Sequence, residues 1–299
     1  MVSQSTAGVE FVGNLMRYAE VENDISSPRL LRLGNCEFEF DAAAVVYSGW
    51  APQHIETIQS ALKDVFRDTT SSAIRFVLPS STLTRFESLR SRDVQGVDTK
   101  VQIGFETLLL NGGEQGGDVF PGDSIQKFNS DISGYAVHHL SQGISQRLAR
   151  LCEVFPQQAK GHIPSANASI RSYRRLMDLQ QAPKGNVLLL GCYPESTDYI
   201  GLSAEATLKS ISIDTPTDSD RVYFAYEVLS RMQKATFDNC LLAVYGHSIS
   251  APFISLLTQE FGKRVSILNP GPMVNLDQNR FEKGFPIQAF VPCLGASIV

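Results

Sequence analysis

The sequence has no long apolar run and no cluster of basic residues. None of its apolar stretches approaches the roughly 20 residues that a membrane-spanning helix needs. Its formal net charge is −5 and its pI about 5.6, whereas nucleic-acid-binding proteins gain affinity from clustered lysine and arginine. The first residues, MVSQSTAG, lack the charged-then-apolar order of a signal peptide. We therefore expect a cytoplasmic protein that binds no nucleic acid.

Cysteine is sparse, and its spacing suits neither disulfides nor zinc. The five cysteines are widely separated and include no C-x-x-C pair, which indicates reduced, buried thiols. His138 and His139 are adjacent, so on a strand their rings would face opposite sides rather than one metal ion. We expect no metal site.

The most informative stretch runs from residue 241 to residue 271. An apolar run ends at the turn Gly246-His247-Ser248, a segment of helical period follows, and a second apolar run closes the stretch. This order predicts a strand, a tight turn, a helix and a second strand. Turns at the carboxyl end of such strands are where α/β proteins place ligands.

Two interpretations of this turn remain open. Gly246 and Ser248 resemble the nucleophile elbow of a serine hydrolase, in which the base histidine follows the serine along the chain. The five histidines all precede Ser248, however, and Ser250 replaces the second glycine of the elbow. The other interpretation is the glycine turn of an adenosine site, which the rest of the chain favours.

Both halves of the chain show the same order of predicted elements. Each half begins with three short strands, continues with an amphipathic helix and ends in a buried strand. In the first half these elements lie near residues 9–11, 16–21, 30–33, 55–66 and 73–78. In the second half they lie near residues 186–190, 199–203, 207–213, 222–235 and 241–244. A repeat of this kind indicates an internal duplication.

A different pattern separates the two halves. A predicted strand at residues 135–140 and an amphipathic helix at residues 144–155 suggest a small α+β insert. Residues 111–123 are rich in glycine but contain no G-K-[ST], so they predict a mobile loop rather than a P-loop. Gln180–Gly185 is the predicted hinge between the halves, because it contains both proline and glycine.

Several segments, taken in order, follow a known pattern. Residues 8–21, GVEFVGNLMRYAEV, align with the pattern G-I-D-I-G-S-S-x-V-K-x-x-E-[LV] without a gap, and residues 293–296 resemble a C-terminal G-L-A helix. The chain thereby resembles the PilM family of type IV pilus assembly proteins, to which the cytoplasmic domain of GspL is related. The resemblance implies an α/β, two-lobed, actin-like (ribonuclease H-like) fold. It implies a first lobe of residues 1–88 with a return segment at 164–183, an α+β insert at 89–163 and a second lobe at 184–299.

Three loops of this family hold a nucleotide, and each departs here from the family pattern. Glu10 stands at the position of the Mg²⁺-binding aspartate, and Val12 replaces a glycine. In the second loop Tyr193 replaces a glycine, so its side chain would obstruct a phosphate. The remnants of the nucleotide cleft are Glu10, Gly13, Asn14, Arg17, Ser196, Thr197, Asp198, Gly246 and Ser248. We expect no catalytic residue and no cofactor, with ATP and Mg²⁺ as the alternative.

The resemblance implies a non-catalytic scaffold of a type IV pilus or type II-like secretion machine, peripheral at the bacterial inner membrane. The expected partner is a PilN-like bitopic membrane protein, whose cytoplasmic tail docks between the first lobe and the insert, near Leu78, Arg85 and Phe86. The resemblance also suggests a pilus motor ATPase as a partner. The alternatives are a nucleotide-binding ATPase or switch of the same fold and, less favoured, a serine hydrolase at Ser248.

Overall fold

In the computed structural model, strands and helices follow one another in a duplicated order. The structure describes residues 4–23, 28–69, 71–91, 99–110, 118–129, 132–203, 207–231, 240–274, 276 and 284–298. The strands are β1 (Gln4–Val12), β2 (Leu15–Asn23), β3 (Arg29–Glu37), β4 (Ser71–Leu78), β5 (Leu83–Ser91), β6 (Asp118–Asn129), β7 (Ile132–Leu140), β8 (Ala159–Pro164), β9 (Val187–Cys192), β10 (Ser196–Leu202), β11 (Thr207–Asp214), β12 (Leu241–Gly246) and β13 (Val265–Ile267). The helices are α1 (Ile55–Val65), α2 (Thr99–Leu110), α3 (Gln142–Leu151), α4 (Ser165–Asp178), α5 (Asp218–Ser230), α6 (Ala251–Phe261) and α7 (Val291–Ser297).

The first lobe is built on a five-stranded sheet with the order β3-β2-β1-β4-β8. The first three strands form the predicted antiparallel meander, and β4 lies parallel to β1. Along the chain, α1 lies between β3 and β4. It buries Ile55, Ile58 and Leu62, because its apolar residues recur at helical spacing. β8 then pairs parallel to β4 at the edge of the sheet.

The second lobe repeats this topology in a sheet with the order β11-β10-β9-β12-β13. A meander of β9, β10 and β11 leads through α5 to β12, which lies parallel to β9. Sequence signals fix both helix starts: Thr217 forms a capping box with Asp220 before α5, and the Ser250 hydroxyl accepts a bond from the Phe253 amide at α6. The predicted duplication is confirmed by the matching strand orders. The helix expected at residues 222–235 is α5, and residues 232–239 lie outside the described part of the chain.

The insert is a three-stranded sheet with the order β5-β7-β6, accompanied by α2. Its pairing spans residues 83–140, so the expected boundaries of 89 and 163 differ from those in the structure. The insert starts earlier because the chain leaves the first-lobe sheet at Pro79. It ends earlier because α3 packs Ile144, Leu148 and Leu151 into the core of the first lobe, and because β8 pairs with β4 of the first-lobe sheet.

The glycine-rich stretch is partly strand rather than loop. Asp118–Asn129 forms β6, which pairs with β7 and accommodates Pro121 through a shift in register. The rest of the predicted mobile loop, residues 111–117, lies outside the described residues. The residues just before this loop belong to α2, which ends at Leu110.

Two helices, α4 and α7, lie between the lobes. A single apolar cluster joins Ala19 and Val21 of the first sheet, Leu189 and Ile200 of the second, and residues of both helices. Where α7 meets α4, a Cβ added to Gly295 would lie 1.9 Å from the carbonyl oxygen of Ala168. The lobes therefore share one core, and glycine is what allows the helices to approach so closely.

The predicted hinge follows α4 directly and connects it to β9. Gln180 has a φ of 58°, and the amides of Gln181 and Ala182 donate to the carbonyl oxygen of Leu176 at 2.8 and 3.2 Å. Such bonds from a left-handed residue are typical of helix ends. The hydroxyl of Tyr173 donates to the carbonyl oxygen of Pro183 at 3.1 Å. The connection is thus anchored to the helix that precedes it.

Candidate functional site

A buried ion pair occupies the mouth of the first predicted nucleotide loop. Glu10 and Arg17 lie opposite each other on β1 and β2, both fully or almost fully buried, with 3.6 Å between the guanidinium Nη1 and the carboxylate Oε2. Arg17 also donates to the carbonyl oxygen of Ala289, at 3.5 Å. The hydroxyl of Tyr193, from the second lobe, donates to Glu10 Oε1 at 3.3 Å. The carboxylate therefore connects the two lobes.

The surroundings of Glu10 favour its neutral form. Burial raises the pKa of Glu10 from 4.5 to about 7, although Arg17 and the hydrogen bond from Tyr193 both lower it. Burial and the nearby Glu10 raise the pKa of Tyr193 well above 10, so its hydroxyl keeps the proton that it donates. Oε2 of Glu10 has no hydrogen-bond partner among the described residues. This arrangement holds the lobes together at a cost in desolvation.

The turn between β1 and β2 is held by the segment that follows β3. Gly13 has a φ of 56°, and its carbonyl oxygen accepts a bond from the Ala43 amide at 2.9 Å. The carbonyl oxygen of Asn14 accepts from the Phe38 amide at 2.9 Å, and the Asn14 side chain donates to Glu37 at 3.1 Å. The polar groups of this turn are thus paired within the first lobe.

The second predicted loop continues into buried polar contacts along β10. The Thr197 and Thr215 hydroxyls lie 2.7 Å apart. Asp198 accepts a bond at 2.8 Å from Ser165, the first residue of α4, and Ser165 lies 3.3 Å from the Ser80 hydroxyl. Burial raises the pKa of Asp198. This second buried carboxylate also ties the second lobe to the first.

The third predicted loop, the adenosine turn, is bonded to the end of β9. Gly246 has a φ of 113°, and a Cβ there would lie 2.4 Å from the carbonyl oxygen of Cys192. The amides of His247 and Ser248 donate to that same oxygen at 3.1 and 3.2 Å. Partial desolvation and the Arg17 guanidinium lower the pKa of His247, whose side chain is exposed. The tight turn follows from a close approach of two strands.

Arg221 joins the second and third loops, and the sequence analysis missed it. Its guanidinium donates to the carbonyl oxygens of Tyr193 at 2.7 Å and Ser248 at 2.9 Å, and pairs with Asp218 at 2.9 Å. It is almost fully buried and lies over the ring of Phe253, 5.7 Å from its centre. The sequence offered one sign of its role: Asp218 and Arg221 lie three residues apart, a spacing that lets two side chains pair on one helix face.

Beside the ion pair lies a cavity of about 570 Å³. Its walls come from the first lobe, from the start of the insert, from α3 and from the turn between β9 and β10. The lining residues are Phe11, Val12, Gly13, Asp41, Ala43, Ala44, Tyr47, Ser48, Pro79, Ser81, Thr82, Ile144, Tyr193, Pro194, Glu195 and Ser196. The cavity thus lies where the lobes and the insert meet.

The structure is similar to solved structures over almost all of its length. One is the PilM–PilN type IV pilus biogenesis complex, with a TM-score of 0.71, 14% identity and coverage of 97% of both chains. Another is a Bacteroides thetaiotaomicron protein of actin-like ATPase fold and unknown function, with a TM-score of 0.52, 14% identity and coverage of 97% of this chain and 96% of that one. The chain has the actin-like fold.

The similarity extends to a further solved structure at low sequence identity. The ethanolamine utilization protein EutJ from Carboxydothermus hydrogenoformans has a TM-score of 0.50 and 11% identity, with coverage of 99% of this chain and 90% of that one. No protein-family model matches the chain, and no curated protein sequence matches it. The expected two-lobed actin-like fold is confirmed, and so is the resemblance to PilM at the level of the fold.

The residues predicted for the nucleotide cleft fall into three groups in the structure. Glu10 and Arg17 form the ion pair, with buried Asp198 close enough to raise the pKa of Glu10. Gly13 and Ser196 line the cavity from opposite lobes. The remaining predicted residues, Asn14, Thr197, Gly246 and Ser248, are bonded within their own lobes.

The predicted groove residues lie apart from the cavity. Leu78 is wrong as a groove residue, because it is fully buried in the first-lobe core at the end of β4. Arg85 is exposed and Phe86 half-buried on β5, and neither lines the cavity. The residues that do line it from the insert side, Ser81 and Thr82, precede β5.

The serine hydrolase interpretation of Ser248 is not supported. A nucleophile elbow places its serine in a strained turn on a single hydrolase sheet. Here the lobes have separate sheets, and the non-glycine residues with positive φ among those described are Ala51 and Gln180. Ser248 instead lies in a turn, and its own carbonyl oxygen accepts a hydrogen bond from the Arg221 guanidinium.

Proposed function

We propose that this protein is a non-catalytic, actin-like scaffold of a type IV pilus or type II-like secretion assembly. On this proposal it binds the cytoplasmic tail of a PilN-like bitopic inner-membrane protein. The observation that carries the proposal is the cavity, which lies beside the buried hydrogen bond between Tyr193 and Glu10. The fold shared with PilM in the PilM–PilN complex supports the choice of partner.

The residues of the cleft do not fit a nucleotide. Tyr193 places a buried ring between the lobes, and its hydroxyl is already bonded to Glu10. Among the described residues, the cavity lining includes no lysine, arginine or histidine that could pair with a phosphate. Glu10, the candidate for binding Mg²⁺, is paired with Arg17, and burial raises its pKa to about 7. We therefore propose that the protein neither binds nor hydrolyses ATP.

The cavity suits an extended peptide tail. Tyr47, Pro79 and Ile144 offer apolar contact, and the hydroxyls of Ser48 and Ser81 lie on exposed parts of its wall. Peptide grooves combine apolar pockets with polar groups in this way. No helix in the described part of the chain is long and apolar enough to cross a membrane. On our proposal the protein is cytoplasmic and reaches the inner membrane through its partner.

Tail binding can be tested by filling the cavity. Ser81→Trp should weaken binding of the labelled tail of the PilN-like protein from the same genome by at least about tenfold, because the indole occupies the space. Ser219→Trp, at an exposed serine of α5, is the matched control. Fluorescence anisotropy measures affinity, and the melting temperature confirms folding. Equal affinity of wild type and Ser81→Trp would contradict the proposal.

A measurement of nucleotide binding distinguishes the scaffold proposal from the alternative, a nucleotide-binding switch. Titration calorimetry with ATP and Mg²⁺ should show no binding, because on our proposal the hydrogen-bonded pair of Tyr193 and Glu10 takes the place of a phosphate. A dissociation constant in the low micromolar range would instead favour a nucleotide-binding switch of the same fold. Loss of tail binding in Ser248→Ala at unchanged stability would favour that switch as well.

A further inference from the structure

The charges around the cavity are of one sign. Asp41 and Glu195 are the charged residues of its lining, within the described part of the chain. Asp41 belongs to the first lobe and follows β3, whereas Glu195 lies in the turn between β9 and β10 of the second lobe. The cavity therefore has an acidic residue on each of two opposing lobes.

Neither carboxylate has an ion-pair partner among the described residues. Asp41 Oδ1 accepts a bond from the Ala44 amide at 2.8 Å, which leaves its second oxygen for a ligand. The side chains of Asp41 and Glu195 are both exposed, while their neighbours in the lining are apolar or carry neutral hydroxyls. Nearby Arg147 is engaged elsewhere, since it donates to the carbonyl oxygens of Val46 and Tyr47 at 2.6 and 2.7 Å. A bound cation would meet no competing positive charge in the lining.

The chemistry of the site favours an organic cation over a metal ion or a phosphate. Metal sites in proteins gather several ligating side chains, and the described residues include no group of three or more His, Cys, Asp or Glu that could hold a metal ion. A phosphate would be repelled by both carboxylates. Lysine and arginine combine a charged end with an apolar stem, which Val12, Pro79 and Ile144 could cover.

We propose that the peptide segment held in this cavity carries a lysine or arginine side chain, bound by Asp41 and Glu195 together. The inference rests on the proposed function, and it adds the chemical class of the segment. The cation neutralises two carboxylates of like sign and, because they belong to different lobes, makes one contact with each lobe. Apolar neighbours of the cation pack against Tyr47 and Ile144.

The test compares charge-removing variants with a matched control. Asp41→Asn and Glu195→Gln keep the shape of each side chain, and asparagine caps a turn about as well as aspartate. Glu260→Gln removes the same charge at an exposed position of α6, outside the cavity lining. Affinity is measured by fluorescence anisotropy with the labelled tail of the PilN-like protein encoded in the same genome. A second peptide carries norleucine in place of every lysine and arginine.

Each cavity variant should weaken binding of the natural tail roughly two- to fivefold, the range for a partly exposed charge pair. Glu260→Gln should have no effect, and the norleucine peptide should be insensitive to both cavity variants. Added salt should weaken binding by the wild type more than binding by the double variant.

The outcomes separate this inference from the proposed function. Tail binding that is unchanged in Asp41→Asn and Glu195→Gln overturns the inference and leaves the scaffold proposal standing. Tight binding of a tail without lysine or arginine has the same consequence. If the wild type captures no tail at all, the proposed function fails and this inference fails with it.

Discussion

Replacing Glu10 with glutamine should abolish a pH dependence of stability that the buried carboxyl creates. Because the pKa of Glu10 is raised from 4.5 to about 7, the native protein keeps a proton that the unfolded chain releases. The contribution of Glu10 to the free energy of unfolding therefore falls as the pH rises from 4.5 to about 7, and is level above that. Glutamine cannot ionise, and its amide oxygen can still accept the bond from Tyr193.

The magnitude follows from the size of the pKa shift. One pKa unit corresponds to about 1.4 kcal/mol, so the rise of the Glu10 pKa corresponds to about 3 kcal/mol. Burial raises the pKa of Asp198, which gives the same sign, and lowers that of His247, which costs stability as the pH falls. Both groups are present in the wild type and in Glu10→Gln. Their own contributions are common to both proteins, so the difference between the two reports Glu10 together with its interaction with Asp198.

Urea unfolding followed by far-ultraviolet circular dichroism measures this difference. Relative to the wild type, Glu10→Gln should gain about 3 kcal/mol of stability between about pH 4 and about pH 8. Exposed Glu260 provides the control, since Glu260→Gln should show no such change. A difference for Glu10→Gln that stays constant to within about 0.5 kcal/mol across this range would refute the reasoning. It would mean that the carboxyl is hydrated in the native protein.

Three further predictions concern packing. Gly295→Ala should lower the free energy of unfolding by roughly 3 kcal/mol or more, because the new methyl group would lie 1.9 Å from the carbonyl oxygen of Ala168. An unchanged melting temperature would contradict this close helix crossing. Gly104 lies in the exposed part of α2, where nothing lies within 4 Å of an added Cβ. Gly104→Ala should therefore raise the free energy of unfolding, measured in urea, by about 0.5–1 kcal/mol. A loss of stability would contradict that open space. Arg221→Met should lower the free energy of unfolding by about 3 kcal/mol, since the carbonyl oxygen of Tyr193 loses its hydrogen-bond donor. It should also speed hydrogen exchange of the backbone amides in the turn after β9. Unaltered exchange would show that the turn is held in another way.

The sequence predicted the fold better than it predicted the site. Periodicity located most strands and helices, because each meander and crossover helix carries its own apolar pattern. The boundaries of the insert were missed, since α3 resembles a helix of the insert and belongs to the first lobe only through tertiary packing. No local signal in Leu78 shows that its side chain points into the core rather than into a groove.

The residues at the site show a similar limit. Glu10 and Tyr193 could be identified as departures from a pattern, but their hydrogen bond joins residues 183 positions apart. Arg221 lies in an ordinary amphipathic helix, and only the folded structure brings it to the carbonyl oxygens of two loops. Contacts between distant segments depend on the topology, so local sequence patterns could not predict them.

The same topology links the predicted nucleotide loops to the cavity. Buried polar groups need partners, and in the loops predicted to hold a phosphate Glu10, Tyr193 and Arg221 supply these partners within the protein. Tyr193 also lines the cavity, in the same turn as Glu195. A ligand in the cavity therefore contacts the residue that joins the lobes. If tail binding strengthens the bond between Tyr193 and Glu10, Tyr193→Phe should weaken tail affinity without altering the shape of the cavity wall. Equal affinity of Tyr193→Phe and the wild type would show that docking and the contact between the lobes are independent.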